Sequence, residues 1–307
     1  MTSWYTAPRA VFALSMLALS GYAAVAPASS HGRGLQQDFD WNGEIAPGAT
    51  LRVFTTAGTV TVRQAAGRTA RVHGETRDAD DEQIRYLTDR DGGDVRICAV
   101  REGGECNDNG VRDRDRGWSR RNRRAKANFT IEVPRGVVVR VGSGNGDVTV
   151  DGATADVNAS SGNGDVRVGS GAARVDVSSG NGAVMVDAAR GPVHASTGNG
   201  RVMVSTAQGP VEASSGNGSI DVSMASLRGD DDMEFSSGNG SITLRVPADF
   251  SAEIEASTGN GGFESDFPLR VVGRMSQHRV HGTIGSGGRS VRMSTGNGSI
   301  RVLRAGT

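Results

Sequence analysis

Residues 182–200 read GAVMVDAARGPVHASTGNG, and this stretch decides the fold. Val184 and Val186 alternate with other residues, and after a turn Val193 and Ala195 do the same. Alternation with a period of two is typical of a strand that buries one face. The stretch therefore predicts two short strands and two turns.

The same unit recurs along the chain. Its last four residues, Ser/Thr-Gly-Asn-Gly, occur eight times, first at intervals of 18 residues and then at 22, 21 and 37, which we interpret as insertions into one register. Identical residues at identical positions favour stacked coils over an antiparallel meander, although Asn-Gly also suits a hairpin. The sequence therefore predicts an all-β, single-domain parallel β-solenoid (β-helix) with two short strands per coil of roughly 18 residues.

The Gly-Asn-Gly corner has a structural explanation, because glycine and asparagine tolerate positive φ. We expect its asparagines to stack as an amide ladder, each side chain bonding to the next coil. A ligand-binding comb is the functional alternative. The predicted ladder residues are Asn145, Asn163, Asn181, Asn199, Asn217, Asn239, Asn260 and Asn297. The hydroxyls two residues before them are expected to form a parallel ladder, at Ser161, Ser179, Thr197 and Ser215.

The N-terminus predicts export. In residues 1–28, Arg9 is the only charge, Val11–Leu19 is an apolar run, and small residues lead to a cleavage site near Ala28. We interpret this segment as a signal peptide, with an uncleaved membrane anchor as the alternative. The expected location is periplasmic, cell-surface or extracellular, with no membrane span after cleavage.

The remaining chain divides into two regions. Residues 35–140 are strand-rich but irregular, and residues 54–62 look like a worn copy of the repeat. We expect an N-terminal β-rich cap and first coils there, interrupted by a charged loop at 107–127. Residues 141–303 are expected to form the repeat solenoid.

The charged loop contains RDRDRGWSRRNRRAK at 112–126, with a local charge of +6. Such a run is usually a solvated loop, and the alternative is an anion-binding loop for acidic envelope polymers. The candidate anion-binding residues are Arg112, Arg114, Arg116, Trp118, Arg120, Arg121, Arg123, Arg124 and Lys126. The whole chain has 34 basic and 34 acidic residues, so charge gives no support for nucleic-acid binding.

The chain has two cysteines, Cys98 and Cys106, separated by a stretch that contains a Gly-Gly pair. In an exported protein this spacing predicts a disulfide, worth about 2–3 kcal/mol in the chain-entropy model. A two-cysteine metal site is the alternative, but it lacks nearby histidines.

Other chemistry is weakly supported. A calcium β-roll needs a recurring acidic ligand, whereas the position after the corner holds Asp147 and Asp165 but then Ala183 and Arg201. Asp147 and Asp165 would lie one coil apart, near the distance of about 5 Å between the paired carboxylates of retaining glycosidases. Both, however, are expected at a turn edge in contact with water. The sequence predicts no catalytic residue, no metal ligand and no cofactor.

The histidines are interpreted as surface residues. His278 and His281 are three apart, so in an extended chain they would point to opposite faces. His73 and His194 are expected to be isolated on strands.

Several segments resemble a known family. They are DFDWNGEIAPGATLRV from Asp38, NFTIEVPRGVVVRV from Asn128, the NGDV and NGSI units, SDFPL at 265–269 and GTIGSGG at 282–288. In this order they resemble the bacterial putative-adhesin family of exported β-strand-repeat domains of unknown function, from about Asp38 to Val302. The resemblance implies a β-helical fold and an envelope or extracellular setting, and it supplies no catalytic residues.

These observations together predict an exported, non-enzymatic β-solenoid that acts as an adhesin-like interaction or structural module of the cell envelope. Its expected partner is an envelope polysaccharide or a surface protein. The alternatives are a carbohydrate-active enzyme on a β-helix scaffold and an envelope-stress sensor subunit.

Overall fold

A computed structural model of the chain describes residues 38–77, 84–101, 103–112, 125–153, 155–169, 171–206, 208–227, 231–271, 276 and 278–306. Within these ranges there are 27 strands and no helix. None of the described residues belongs to a helix long and apolar enough to cross a membrane. The predicted signal peptide lies outside the described residues.

Two long sheets contain nearly all strands. Sheet A has 12 strands, in spatial order β1 (Asp38–Glu44), β4 (Thr69–Arg77), β9 (Lys126–Val133), β3 (Val60–Gln64), β11 (Val148–Val150), β13 (Val166–Val168), β15 (Val184–Ala189), β17 (Val202–Thr206), β19 (Ile220–Met224), β21 (Ile242–Val246), β27 (Ile300–Arg304) and β23 (Phe263–Ser265).

Sheet B has 13 strands, in spatial order β24 (Leu269–Val271), β25 (Arg279–Ile284), β22 (Ala252–Asn260), β26 (Ser290–Asn297), β20 (Met233–Asn239), β18 (Val211–Asn217), β16 (Val193–Asn199), β14 (Val175–Asn181), β12 (Val157–Asn163), β10 (Val138–Asn145), β2 (Thr50–Ala57), β6 (Asp94–Val100) and β5 (Arg85–Asp91). A separate hairpin pairs β7 (Glu105–Asn107) with β8 (Gly110–Arg112).

The central coils alternate between the two sheets. From β10 to β21 the chain places one strand in sheet B, turns at the Gly-Asn-Gly corner, and places the next strand in sheet A. Neighbouring strands are parallel and in register, as in Val157 beside Val175 and Val166 beside Val184. Their inward valines are fully buried in one continuous core. The predicted all-β, solenoid-like architecture is therefore confirmed.

The order of the coils departs from the sequence at both ends. The pair β26/β27 lies between β20/β21 and β22/β23, and the pair β6/β9 lies outside β2/β3. The corners nevertheless keep the one register that the intervals predict, because Asn297 stands in register with both Asn239 and Asn260. The sequence does not predict that the last coil lies between two earlier coils. It lies there because β22 pairs on its outer side with antiparallel β25, which leaves only its inner side for β26.

Antiparallel strands terminate the parallel stack at both ends of sheet B and at the first end of sheet A, whereas the far end of sheet A is the short parallel strand β23. At the first end, β4 and β1 follow β9 in sheet A, and β5 follows β6 in sheet B. At the other end, β25 and β24 cover β22 in sheet B, and β24 has only three residues. Short or covered edges limit the pairing of an exposed strand with other chains.

The core changes from small side chains at the centre to large ones at the ends. One inward column of sheet B holds Val177, Ala195, Ala213 and then Phe235, all buried. Near the first end, Tyr86 stacks on Phe39 at 4.7 Å and meets Phe129 edge-on at 5.8 Å. Burial raises the pKa of Tyr86, whose hydroxyl is hydrogen-bonded to Thr76.

Candidate functional site

The eight corner asparagines lie in one column along the edge between the sheets. Seven hydrogen bonds link them, each from the Nδ2 of one asparagine to the Oδ1 of the asparagine before it in the column, at 2.7–2.8 Å. The spatial order is Asn145, Asn163, Asn181, Asn199, Asn217, Asn239, Asn297 and Asn260. The amides are exposed, so each of these hydrogen bonds takes the place of a hydrogen bond to water. A single bond therefore contributes little to the stability of the fold.

The hydroxyls two residues before the asparagines do not bond to one another, so the expected hydroxyl ladder is wrong. Ser161 Oγ donates to the carbonyl of Gly146, and Thr197 Oγ1 donates to that of Gly182, both at 2.8 Å. These hydroxyls are buried, and the corner directs a glycine carbonyl of the adjacent coil towards them. A buried carbonyl needs a donor, which the inward hydroxyl supplies.

The outer surface of sheet B carries two further columns, which we call the serine–glycine face. Its serines are in register from coil to coil and half-buried or exposed. They are Ser160, Ser178, Ser196, Ser214, Ser236, Ser294 and Ser257. The adjacent glycines are Gly162, Gly180, Gly198, Gly216, Gly238, Gly296 and Gly259. A Cβ at any of these glycines would lie 2.4–2.6 Å from a backbone oxygen of the neighbouring coil.

The glycine column therefore lets the coils approach each other closely and leaves the surface flat. The serine column is not among the sites predicted from the sequence. The sequence feature that could have revealed it is the serine two residues before the first glycine of Gly-Asn-Gly, which recurs in successive units.

A column of mostly charged residues borders the serines on sheet B. It contains Asn158, Asp176, His194, Glu212, Glu234, Arg292 and Glu255. His194 Nδ1 lies 3.2 Å from Glu212 Oε2, and on sheet A His73 Nδ1 lies 2.7 Å from Asp40 Oδ1. The expectation that His73 and His194 are isolated is wrong, because parallel and antiparallel pairing bring a carboxylate of the next strand beside each ring.

A hairpin forms a raised shoulder at one end of the serine–glycine face. Phe54 and Cys98 occupy the outward register positions of the serine column, and the β7–β8 hairpin covers them. The predicted disulfide between Cys98 and Cys106 is present, with a Cα–Cα distance of 6.2 Å, and it fastens the hairpin to β6. Val111 packs against the same small cluster.

An ion pair also joins the hairpin to β6, and a second ion pair joins β2 to β6. Arg96 Nη1 lies 2.7 Å from Asp108 of the hairpin, and Arg96 also pairs with Asp89. Arg52 Nη1 lies 2.8 Å from Asp94, and the Thr50 amide donates to the same carboxylate. The hydrogen bond from Arg52, followed by that from Thr50, holds the pKa of Asp94 below its usual value.

The lowered pKa of Asp94 predicts a pH dependence of stability. A carboxyl whose folded pKa is depressed stabilises the fold above its unfolded pKa of about 3.9, and this stabilisation is lost as the pH falls through the folded pKa. We expect Asp94→Asn to lower the free energy of unfolding at neutral pH by less than about 1 kcal/mol, because the pair is partly exposed.

The check is urea denaturation at pH 7 and below pH 4. The difference between the wild type and Asp94→Asn should shrink at acidic pH. A difference that is constant with pH would contradict the prediction. Asp176→Asn, which changes an exposed aspartate of the central coils, is the control.

Removal of the disulfide gives a second prediction. The variant Cys98→Ala/Cys106→Ala is expected to lose about 2–3 kcal/mol of stability, because a short loop is no longer closed in the unfolded chain. Thermal denaturation of the oxidised wild type, the reduced wild type and the variant measures this. The reduced wild type should resemble the variant, and an unchanged melting temperature in both would refute the estimate.

The basic segment is described only at its two ends. Arg112 ends β8, and Lys126 begins β9, where it stands in register with Arg77 of β4. The other candidate residues lie outside the described residues, namely Arg114, Arg116, Trp118, Arg120, Arg121, Arg123 and Arg124. The segment thus leaves the hairpin shoulder and returns to sheet A.

Asp147 and Asp165 are exposed and serve the backbone. Asp147 Oδ1 accepts the N–H of Asp165 at 2.9 Å, and Asp165 Oδ1 accepts that of Ala183 at 2.8 Å. Each carboxylate therefore supports the next coil. This arrangement gives the two aspartates a structural role.

Comparison with solved structures finds similar but divergent proteins. A "putative adhesin" from Bacteroides fragilis NCTC 9343 is 12% identical, with 88% of this chain and 100% of that chain covered and a TM-score of 0.40. A "putative adhesin" from Parabacteroides merdae ATCC 43184 is 9% identical, with 87% and 96% covered and a TM-score of 0.40. A "putative cell adhesion protein" from Clostridium sporogenes ATCC 15579 is 13% identical, with 87% and 100% covered and a TM-score of 0.29.

No curated protein matches the chain. A family model does match, over residues 50–303, which include all the central coils and the serine–glycine face. The chain therefore belongs to the Toastrack DUF4097 family.

Proposed function

We propose that the protein is an exported, non-enzymatic, adhesin-like module of the cell envelope that binds a repetitive polymer through the serine–glycine face. The observation that carries the proposal is the serine that stands at the same outward position in seven stacked coils. Neighbouring strands lie about 4.8 Å apart, so the face offers a hydroxyl at that interval. Many weak, simultaneous contacts give useful avidity.

The chemistry of the face favours a polysaccharide as the partner. Serine hydroxyls and asparagine amides donate and accept hydrogen bonds, and carboxylates accept them, so together they complement sugar hydroxyls. The glycine column has no side chains, so an extended polymer can approach the backbone. A surface protein is the alternative partner.

Export is supported by two features of the chain. The first is the predicted signal peptide at residues 1–28. The second is the Cys98–Cys106 disulfide, because structural disulfides persist in oxidising compartments.

A non-enzymatic role is favoured over glycan cleavage. The candidate carboxylate pair is Asp147 and Asp165, and one oxygen of each accepts a hydrogen bond from a backbone amide of the following coil. No specific observation favours the stress-sensor alternative.

The test is a binding screen of the purified chain against neutral and anionic envelope polysaccharides. The variant Ser196→Arg/Ser214→Arg places two bulky side chains on adjacent coils of the face. The matched control is Met185→Arg/Met203→Arg, which adds the same charges on adjacent coils of sheet A. We expect the first variant to lose binding and the control to keep it. Equal binding by both variants would refute the role of the face.

The basic segment is tested in the same screen. Changing the six arginines at 114, 116, 120, 121, 123 and 124 to serine should leave folding intact. It should also weaken binding to anionic polysaccharides at low salt more than at physiological salt. Unchanged binding at low salt would show that the basic segment does not contribute to polysaccharide binding.

A further inference from the structure

The last coil of the chain lies between two coils that precede it in sequence. We call β26 and β27 (residues 290–304) the closing coil, and the space it fills between β20/β21 and β22/β23 the slot. The closing coil is parallel to both neighbours and in register with them along both sheets. Neither long sheet is continuous until the closing coil enters the slot.

The closing coil also bridges the asparagine column. Asn297 Nδ2 donates to Asn239 on one side, and Asn260 Nδ2 donates to Asn297 on the other, both at 2.7 Å. On the serine–glycine face, Ser294 Oγ donates to Ser236 Oγ at 3.3 Å. The two sides of the slot, β20/β21 and β22/β23, therefore supply the backbone and side-chain partners of the closing coil.

The slot is shaped for this coil and not for a central one. Met293 stands in register between Phe235 and Ala256, whereas the corresponding position of the central coils holds valine or alanine. Val291 stands in register between Met233 and Ile254. A central coil in the slot would place a smaller side chain at the position of Met293 and leave a cavity there. Such a cavity would destabilise the packing.

The connection to the closing coil is short and rich in glycine. Residues 285–289 lead from β25 to β26, and Gly285, Gly287 and Gly288 have φ values of 61°, 80° and 112°. Glycine adopts both signs of φ with little difference in energy, so this segment can also take an extended path.

We propose that two copies of the chain exchange their closing coils, so that each slot is filled by the coil of the other copy. The exchanged dimer keeps the bonds that β26 and β27 make in the slot. It gives up only those of the 285–289 connection, such as Arg270 Nη2 to the Gly285 carbonyl and the Glu253 amide to the Arg289 carbonyl. Exchange of an identical element at so small a cost is the condition for domain swapping. A second copy is the fitting partner because it supplies the matching closing coil. The inference concerns assembly and does not depend on the polymer bound.

The experiment uses two full-length variants with different affinity tags, Ser236→Cys and Ser294→Cys. Both positions are on the surface and face each other across β20 and β26. The variants are mixed in urea without reductant, which preserves the native disulfide, and are refolded together over a range of concentrations. A short bismaleimide then joins neighbouring free thiols, and two-tag capture isolates covalent heterodimers.

The matched control is the pair Ser196→Cys and Ser214→Cys, which face each other across two central coils that no exchange separates. We expect several times more heterodimer for the 236/294 pair than for the 196/214 pair, rising with protein concentration. Equal yields from the two pairs would overturn the proposal. So would strictly monomeric wild type after refolding at the highest concentration, as measured by size-exclusion chromatography with light scattering.

Discussion

Replacing Gly182 by alanine is expected to lower the free energy of unfolding by about 3 kcal/mol or more, although Gly182 lies at a surface corner. Its φ of 157° is strained for other residues, and an added Cβ would lie 2.1 Å from the carbonyl oxygen of Gly164. That oxygen belongs to the backbone of the adjacent coil and also accepts the Ser179 hydroxyl, so it cannot move freely.

Gly262→Ala is the control for this substitution. A Cβ at Gly262 would meet no atom within 4 Å, and we expect a change in stability of at most about 0.5 kcal/mol. Urea denaturation of both variants, followed by circular dichroism, measures the difference. If the two variants have the same stability, close approach of the coils is not what requires glycine at the corner.

Replacing Phe235 by alanine is expected to lower the free energy of unfolding by about 3–5 kcal/mol, the usual cost of truncating a fully buried phenylalanine. Phe235 is 1% exposed and stands in register between Ala213 and Met293. It fills space that the small residues of the central column leave open, so its removal creates a cavity beside the slot.

The control is Val177→Ala, at the equivalent position of a central coil. Valine loses two methyl groups, and we expect a cost of about 2 kcal/mol. Chemical denaturation of both variants at the same protein concentration gives the comparison. A loss for Phe235→Ala no larger than that for Val177→Ala would show that the slot region tolerates repacking.

The regular part of the fold follows from local sequence. The 18-residue period places Val157 beside Val175 and Asn163 beside Asn181, because parallel stacking of equal coils requires it. The Cys98–Cys106 pair was also accessible from its short spacing and the intervening glycines.

The order of the terminal coils could not be predicted from the sequence. The intervals that precede Asn260 and Asn297 are 21 and 37 residues, and both are compatible with simple insertions. Which coil lies outermost depends on the antiparallel pairing of β22 with β25, in which Ala252 stands beside Ile284, and these partners are distant in the sequence. Alternation alone carries no information about strand direction.

The hydroxyl bonds and the serine–glycine face were missed for a different reason. The acceptor of Ser161 is a glycine carbonyl whose direction is set by the backbone of the corner, which residue types do not specify. The outward serines were visible in the sequence, but their significance depends on the register that aligns them. A column becomes a surface feature only when the strands are stacked.

The central coils are equivalent to one another in register, so their number can change while the two ends of the fold stay the same. Because Val157, Val175 and Val193 meet equivalent neighbours, an in-frame duplication or loss of eighteen codons would add or remove one strand from each sheet without altering either terminus. The resulting proteins would differ in length by about 4.8 Å per unit. Selection could adjust the reach of the protein and its number of contact points in whole steps.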